Sequence, residues 1–369
     1  MISSRVIIAS LVALQSVRAQ SPAPKVVPDE SSCPRCTVTT RALLTLGADD
    51  GVGSLNGRPM SVNVDARGRW WVFQELEPPT VFTSTGAVVG LAGRKGSGPG
   101  EFRSANYGIV TGDSMVVFDW QETRATVLGP DMKAHRTIRT GHGLGDVLLL
   151  AWPGLLVTSG YFHGANPPNS TIHRLSLAGE AMQVLGSFGP RGVGESMGNA
   201  EVHQIIGRAR DGIWSAYWNR PHFTRWDRNG VARLSLTRRF DWYTGETRAS
   251  VGTPTIAPTP MTGAVHEDSE GLVWLFIYTP APTWKDAWTA PPIRYPGGGT
   301  EYPMRKMDFD KLYRTYVEVI DPVQARVIAR HTINGYVFEP LPDRRVALYK
   351  VDFAGIPRVD IVQLSLNGR

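Results

Sequence analysis

One serine of the chain lies in the pattern that exposes a nucleophile in many hydrolases. It is Ser196, the centre of a Gly-x-Ser-x-Gly run at positions 194–198. That pattern requires a strand before the serine and a helix after it, because the strained turn between them exposes the hydroxyl. The preceding run, Gly189 to Val193, is too rich in glycine and proline to form such a strand. We therefore interpret this segment as a link between two structural units and predict no catalytic residue in it.

The two cysteines, Cys33 and Cys36, are separated by Pro34 and Arg35. A redox-active pair of this spacing normally begins a helix after a strand, because the helix dipole lowers the thiol pKa. Here a Pro- and Ser-rich stretch precedes the pair and a β-like run follows it. We therefore expect a small structural disulfide that closes the N-terminal segment in an oxidising compartment. A metal site would require further ligands nearby, and the sequence places none there.

The eight histidines do not pair at the spacing of a metal site. Compact clusters of possible ligands occur at His266-Glu267-Asp268 and at Asp49-Asp50. His266 and Glu267 end a predicted strand, whereas Asp268 is interpreted as a turn former. Phosphate-loop and dinucleotide patterns are absent, so the cofactor is unknown and no metal ligand is assigned. Acidic groups from distant segments could still converge on one ion, which spacing along the chain does not reveal.

The composition favours an all-β fold built from short strands. The 369 residues include 39 glycines and 27 prolines, and 20% of them are charged. Such a content is typical of many turns between strands and excludes disordered and collagen-like chains. The formal net charge is +6, but the basic residues are scattered without a long run. A solvated surface is therefore expected, and nucleic acid is excluded as a partner.

The N-terminus has the features of a secretory signal, assigned to residues 1–19. Arg5 precedes an apolar run from Val6 to Val17, and Val17-Arg18-Ala19 resembles a cleavage site. No later segment approaches the ~20 apolar residues needed to span a bilayer. The sequence therefore predicts an exported, soluble, monomeric protein, periplasmic or extracellular, without an integral membrane segment after cleavage. Residues 20–36 form the predicted N-terminal segment with the cysteine pair.

A degenerate repeat of four apolar runs covers residues 37–369. The first turn of each unit falls near positions 68, 113, 154, 212, 271 and 344. Four consecutive strands make one blade of a β-propeller, so the pattern predicts six blades. An insertion, 279–312, lies between the second and third strands of the fifth unit. The sixth unit has only three clear strands, and we expect Thr37–Leu46 to complete it and to close the ring.

The Gly-rich run Gly93–Phe102 resembles the NHL-type repeat of six-bladed β-propellers. The residues after it are similar to the family pattern too, with apolar residues and an Asp in Val116–Asp119 and a later Arg124. The unit differs at Thr123, where the family often has Asn, and at Met132, where Gly is usual. The resemblance implies a six-bladed propeller. Members of that family mostly recognise proteins, nucleic acids or small ligands, and some are enzymes.

The loops between second and third strands should share one face of the propeller. Their aromatic and charged residues are the predicted binding residues: Asp119, Trp120 and Arg124; Tyr161 and His163; Trp218, Arg220 and His222; and Trp284 and Trp288 of the insertion. Aromatic residues and Arg are favoured at binding surfaces, although Asp119 and Arg124 could instead form an internal ion pair.

Two functions follow from this pattern. The first is a recognition module that binds a protein or a small-molecule ligand through the aromatic loop face, with the insertion as a candidate lid. The alternative is a propeller hydrolase or lyase with a polar or metal site at the ring axis, where His266 and Glu267 are candidates. The absence of a complete catalytic motif favours the first.

Overall fold

The structure is a computed structural model. It describes residues 22–140, 149–152, 155–159, 170–191, 204–240, 250–295, 297–298, 300–303 and 307–369. The predicted signal sequence, the Ser196 segment, and the candidate binding residues Tyr161 and His163 lie outside the described residues.

Nearly all regular structure in these residues is strand. The strands are β1 (Lys25–Val27), β2 (Thr37–Leu46), β3 (Pro59–Val64), β4 (Trp70–Gln74), β5 (Thr80–Phe82), β6 (Val88–Leu91), β7 (Arg94–Lys95), β8 (Glu101–Phe102), β9 (Ala105–Thr111), β10 (Ser114–Asp119), β11 (Arg124–Leu128), β12 (Ala134–Arg139), β13 (Leu149–Trp152), β14 (Leu155–Ser159), β15 (Ser170–Ser176), β16 (Gln183–Arg191), β17 (Gln204–Arg208), β18 (Gly212–Tyr217), β19 (His222–Asp227), β20 (Ala232–Arg238), β21 (Met261–Glu267), β22 (Val273–Pro280), β23 (Ile293–Arg294), β24 (Thr300–Glu301), β25 (Tyr313–Asp321), β26 (Arg326–Ile333), β27 (Tyr336–Leu341), β28 (Arg345–Val351) and β29 (Pro357–Asn367).

Helical structure is limited to three short elements among the described residues. They are two 3₁₀ turns, Gly51–Gly53 and Trp284–Ala287, and the helix α1 (Phe309–Leu312). None of the described helices is long and apolar enough to cross a membrane.

The described strands form antiparallel sheets of consecutive strands. Four-stranded sheets comprise β3 to β6, β9 to β12, β13 to β16, β21-β22-β25-β26, and β2-β29-β28-β27. The sheet of β17 to β20 has β1 added in parallel beside β20. Two short pairs, β7 with β8 and β23 with β24, lie outside these sheets. In the last large sheet β2 pairs along its length with β29, so Thr37 lies opposite Asn367.

The first strands of the large sheets contact one another in cyclic order. Contacts link β3 to β9, β9 to β13, β13 to β17, β17 to β21, β21 to β27, and β27 back to β3. Sheets arranged radially around an axis in this way form a β-propeller. The predictions of an all-β chain and of a propeller are therefore confirmed.

The strands bury both faces because each core cluster draws on neighbouring sheets. One cluster joins Leu46, Val62 and Trp70 to Val359 and Ile361, so it lies between the first large sheet and the last. All five residues of β4 are buried, which explains why its first four residues are all apolar instead of alternating with polar ones. Packing between sheets therefore holds the ring together.

Aspartates at the ends of first strands fix the turn that follows. Asp65 accepts hydrogen bonds from the backbone N–H groups two and four residues later and from the indole Nε1 of Trp71. Asp268 makes the same three bonds, with Trp274 as the indole donor. Each carboxylate thus ties a tight turn to a buried tryptophan. Asp268 is the turn former that the sequence indicates.

The N-terminal segment crosses two neighbouring sheets. Cys33 and Cys36 form a disulfide, as predicted. Asp29 pairs with Arg238 of β20, whose fully buried guanidinium also bonds to the fully buried carboxylate of Glu318 in β25. Arg330 of β26 contacts both acids as well. This ion-pair network attaches the segment to the propeller.

Two departures from the family pattern coincide with unusual backbone geometry. Thr123 has a φ of 46° and Met132 a φ of 63°. Asn and Gly occupy this left-handed region at lower cost than other residues, and β-branched residues are disfavoured there. Thr123 and Met132 therefore hold a backbone conformation that strains their side chains.

Candidate functional site

Four of the first strands carry a β-bulge close to their start. The extra residues are Met60 in β3, Asn106 in β9, Gly263 in β21 and Phe338 in β27. A bulge opposes two residues to one on the partner strand and redirects the side chains beyond it. Met60, Gly263 and Phe338 all line one cavity. The bulges therefore shape one end of the axis.

This axial cavity has a volume of about 560 Å³. Its walls come from the starts of the first strands, from residues 250–251 before β21, and from the insertion. Its lining includes Arg58, Gln204, Trp218, Tyr278, Phe309, Tyr313, Tyr336, Phe338 and Glu339. Both its size and its mixture of aromatic and isolated polar groups are typical of small-molecule sites.

Aromatic rings form one wall of the axial cavity. The Tyr336 ring centroid lies 4.7 Å from that of Tyr278 and 5.1 Å from that of Phe309. The rings of Tyr278 and Tyr313 are 5.6 Å apart. At Gly263 an added Cβ would lie 2.1 Å from the Tyr278 ring, so glycine permits this close packing. The wall is thus fixed by contacts between four rings.

The insertion supplies the ring of Phe309, leads directly into Tyr313 at the start of β25, and is anchored to the propeller. Helix α1 begins at Phe309 after Asp308, whose carboxylate accepts a hydrogen bond from the Asp310 backbone at 3.1 Å. Asp310 in turn pairs with Lys350 of β28 at 3.1 Å. Phe309 and Tyr313 are therefore held over the axis by a folded segment.

Two buried polar side chains of the axial cavity have no hydrogen-bond partner among the described residues. Gln204 is 4% exposed, and neither its amide oxygen nor its amide nitrogen is paired. Tyr313 is 1% exposed, and its hydroxyl is likewise unpaired. Buried polar groups are normally hydrogen-bonded, because an unmade bond costs about 1–3 kcal/mol. Both side chains therefore carry hydrogen-bonding capacity that the described residues leave unmet.

Glu339 is the carboxyl group of the cavity. It follows the Phe338 bulge, is partly exposed, and lies where the axial cavity meets a narrower one of about 200 Å³. Burial raises the pKa of Glu339 to about 8, while a hydrogen bond with Ser61 opposes the rise. A carboxyl group with this pKa is largely protonated at neutral pH.

The residues predicted at the axis have different surroundings. His266 lines the narrower cavity, and burial together with the charge of Arg208 lowers its pKa to about 4. Glu267 is 6% exposed and accepts a hydrogen bond from Trp214 Nε1 at 2.8 Å. Its contacts are therefore those of a structural residue. Among the described residues, no group of three or more His, Cys, Asp or Glu side chains could hold a metal ion.

Asp119 and Arg124 lie opposite each other in β10 and β11, and both bind backbone groups. Asp119 is buried and accepts from two backbone N–H groups of the link before β9, at 2.8 and 3.1 Å. Arg124 donates to the carbonyl oxygens of Ser97, Gly98 and Glu101, at 2.6–3.1 Å. Together these two side chains hold the Gly-rich link in place.

The other predicted loop residues are distributed between the surface and the cavity. Trp120 is 48% exposed, whereas Trp218 lines the axial cavity. The Arg220 guanidinium lies 5.7 Å from the Tyr217 ring centroid. His222 is half-buried, and its pKa is lowered by burial and by the charge of Arg220. Of this group, the structure brings Trp218 to the cavity.

Trp284 and Trp288 pack inside the insertion. Both are partly buried against a cluster that includes Phe309 and Tyr313. The rings of Trp288 and Tyr302 are 5.4 Å apart and nearly perpendicular. These tryptophans thus support the aromatic wall from behind. Gln204, Tyr278, Tyr313, Tyr336 and Glu339 are not among the predicted binding residues. Gln204, Tyr336 and Glu339 lie on first strands, and that position is the signal that could have indicated them.

Comparisons with known proteins show a likeness in fold alone. No family model and no curated protein matches this chain. A member of the DUF4221 family from Bacteroides vulgatus has a TM-score of 0.56 and 9% identity, over 89% of this chain and 99% of its own. A candidate exported protein from Bacteroides fragilis also has a TM-score of 0.56, with 11% identity over 93% of this chain and 99% of its own. A virginiamycin B lyase from Staphylococcus aureus aligns at a TM-score of 0.44 and 8% identity, over 89% of this chain and 99% of its own, a likeness too low to carry any argument.

Proposed function

We propose that the protein binds a small organic ligand in the axial cavity. The observation that carries this proposal is the pair of buried, unpaired polar side chains, Gln204 and Tyr313, beside a wall of aromatic rings. A cavity with apolar walls and a few fixed polar groups selects a ligand by orientation as well as by area. The cavity is a concave site, so a small molecule fits it better than the flat surface of a protein.

The unpaired groups define what the ligand must offer. The Gln204 amide requires one acceptor and one donor, and the Tyr313 hydroxyl can take either role. The rings of Tyr278, Tyr336 and Phe309 favour a flat or apolar body. The ligand is thus amphiphilic, with polar groups on one side and a ring or chain on the other.

The proposal includes the architecture and the compartment. We propose that each large sheet is one blade of a six-bladed propeller of the NHL type, closed by β2 in the last blade. The cyclic contacts of the first strands and the Gly93–Phe102 run support this. Export to the periplasm or the extracellular space is supported by the signal-like N-terminus and by the disulfide. The exported neighbour from Bacteroides agrees with this compartment.

A fragment screen by ligand-observed NMR tests the proposed site. Hits at the axial cavity should weaken in Gln204→Leu and in Tyr313→Phe, because each variant removes a polar partner. Trp120→Ala is the matched control, since Trp120 is an exposed aromatic residue outside the cavity. Hits that persist in both cavity variants but disappear in Trp120→Ala would contradict axial binding and indicate the outer loop face.

A second candidate function is catalysis at the axis by a hydrolase or lyase. The observation that favours it is Glu339, a carboxyl group in a cavity with a pKa raised to about 8 by burial. Such a group can donate or accept a proton near neutral pH. Turnover of an ester or lactone panel that is lost in Glu339→Gln, with fragment binding retained, would establish it. An inactive wild-type protein that binds fragments would contradict it.

A further inference from the structure

Among the described residues, Glu339 has no cation beside it, unlike the buried acids Asp65, Asp268 and Glu318. Asp65 pairs with Arg69, Asp268 with Arg344, and Glu318 with Arg238 and Arg330, each at 3.0 Å or less. For Glu339, no Lys or Arg of the described residues lies within the 4.0 Å of an ion pair, and Ser61 is the partner.

The basic residue that lines the axial cavity, Arg58, is already engaged. Arg58 lies 3.7 Å from Glu75, and its guanidinium stacks 4.6 Å from the Phe309 ring centroid. The charged and titratable groups that line the two cavities around Glu339 are Arg58 before β3, Tyr107 on β9, Arg208 on β17, His266 on β21, Tyr278 on β22, Tyr313 on β25, Tyr336 on β27 and Arg345 on β28. Those on the axial-cavity side are mostly neutral phenols, which do not compensate a carboxylate.

We propose that the axial cavity binds an organic cation, with an ammonium group beside Glu339 and an apolar body against the rings of Tyr278 and Tyr336. This inference rests on the proposed ligand-binding function and specifies its ligand class. The faces of aromatic rings attract cations, and the attraction grows when the cation is desolvated. A carboxylate at the end of an aromatic wall adds the charge-assisted hydrogen bond that an ammonium group requires.

Binding of a cation also places a positive charge beside the Glu339 carboxyl group. In the free protein, burial keeps Glu339 largely protonated at neutral pH. An ammonium group beside it favours the carboxylate, so binding releases close to one proton at pH 7. Affinity for the cation should then rise by up to tenfold for each pH unit between about 6 and 7.5, while Glu339 deprotonates more readily.

The test uses three probes that share one skeleton and differ in charge: 2-phenylethylammonium, 2-phenylethanol and 3-phenylpropanoate. Calorimetric titrations at pH 7 should give at least tenfold tighter binding of the ammonium probe than of the alcohol, and the weakest binding for the carboxylate. Glu339→Gln should lose at least tenfold in ammonium affinity with little change for the alcohol. Glu180→Gln, which changes an exposed carboxylate on the turn between β15 and β16, should behave like wild type.

Titration of the wild-type protein in two buffers with different ionisation enthalpies measures the released proton without any variant. A release near one proton, absent with the alcohol, supports the inference. Equal affinity for the ammonium and alcohol probes, or an unchanged ammonium affinity in Glu339→Gln, would overturn the cation preference and leave the ligand-binding function intact. Failure of all three probes, together with fragment hits that ignore Gln204→Leu and Tyr313→Phe, would overturn both.

Discussion

Replacing Glu339 by glutamine keeps the shape of the side chain and removes its titration. Burial raises the pKa of this carboxyl group from 4.5 to about 8, so the folded protein holds a proton that the unfolded chain has lost. Stability falls with rising pH wherever the folded state binds more protons than the unfolded state. The wild-type protein should therefore lose stability through this group between about pH 4.5 and pH 8, and the loss should be constant above that range.

The size of the effect follows from the change in proton affinity. One pKa unit corresponds to about 1.4 kcal/mol, which gives an upper bound of about 5 kcal/mol for the change at Glu339. The side chain is partly exposed to the channel, so solvent screening reduces this to about 2–3 kcal/mol. Glu339→Gln carries no such cost at any pH. The difference in free energy of unfolding between Glu339→Gln and wild type should therefore be about 2–3 kcal/mol larger at pH 8 than at pH 5.

Urea unfolding at pH 5, 6, 7 and 8 measures the difference. The difference in stability between Glu339→Gln and wild type should increase steadily with pH. Glu180→Gln, at an exposed position, should follow the wild-type profile throughout. Parallel profiles for wild type and Glu339→Gln would refute the reasoning, because they would mean that Glu339 ionises in the folded protein as easily as in the unfolded chain.

Three further substitutions test the framework that holds the site. Arg238→Met should lower the free energy of unfolding by about 3 kcal/mol in urea titrations, because it removes the fully buried one of the two cations that pair with the buried Glu318 carboxylate and leaves only the partly exposed Arg330. Arg233→Met, at an exposed pair, should cost less than about 1 kcal/mol. Asp268→Ala should cost about 2–3 kcal/mol by the same assay, because it removes the acceptor of two turn N–H groups and of a buried indole; a loss below 0.5 kcal/mol would contradict this. Thr123→Asn should raise the unfolding free energy by about 1 kcal/mol, since Asn tolerates the φ of 46° better, and an unchanged or lower melting temperature would count against strain at this turn.

Local sequence signals predicted the framework well. The run Trp70–Phe73 is apolar throughout because the strand is buried between two sheets. The aspartate before each tight turn, as at Asp65 and Asp268, marks where a first strand ends. The short spacing of Cys33 and Cys36 favoured their disulfide. In each case the pattern of residue types extends over only a few positions, so a single sequence contains the signal.

The axial cavity could not be predicted in this way. In a regular strand, side chains alternate between the two faces of the sheet, so counting residues would assign Glu339 to one face. The bulge at Phe338 shifts that alternation by one residue. Nothing in the residue types marks the bulge. Gln204 and Tyr313 are more than a hundred positions apart, and the contacts that bring them to one cavity depend on the closure of the ring.

The loop residues show a different limit of prediction from sequence, because one residue type can serve either a binding role or a structural role. Asp119 and Arg124 on a loop face have the chemistry of a ligand site, yet the same groups satisfy backbone donors and acceptors of a Gly-rich link. Trp288 likewise could face a partner or support other rings, and here it packs beside Tyr302. Only the positions of neighbouring backbone groups distinguish these roles, and those positions come from tertiary structure.

The position of the bulges gives a physical reason for the location of the site at this end of the axis. Contacts connect β21 to β27 and β27 to β3, so the bulges at Gly263, Phe338 and Met60 lie in adjacent first strands. Each bulge adds a residue on the inner strand, which widens the channel locally and turns the following side chain toward it. Regular strands would continue the narrow channel and bury Glu339 between sheets. The β-bulges that open the cavity thus also turn the Glu339 carboxyl group, which has no cation beside it among the described residues, toward the cavity. For this reason the charge of the test ligands is the first property to vary.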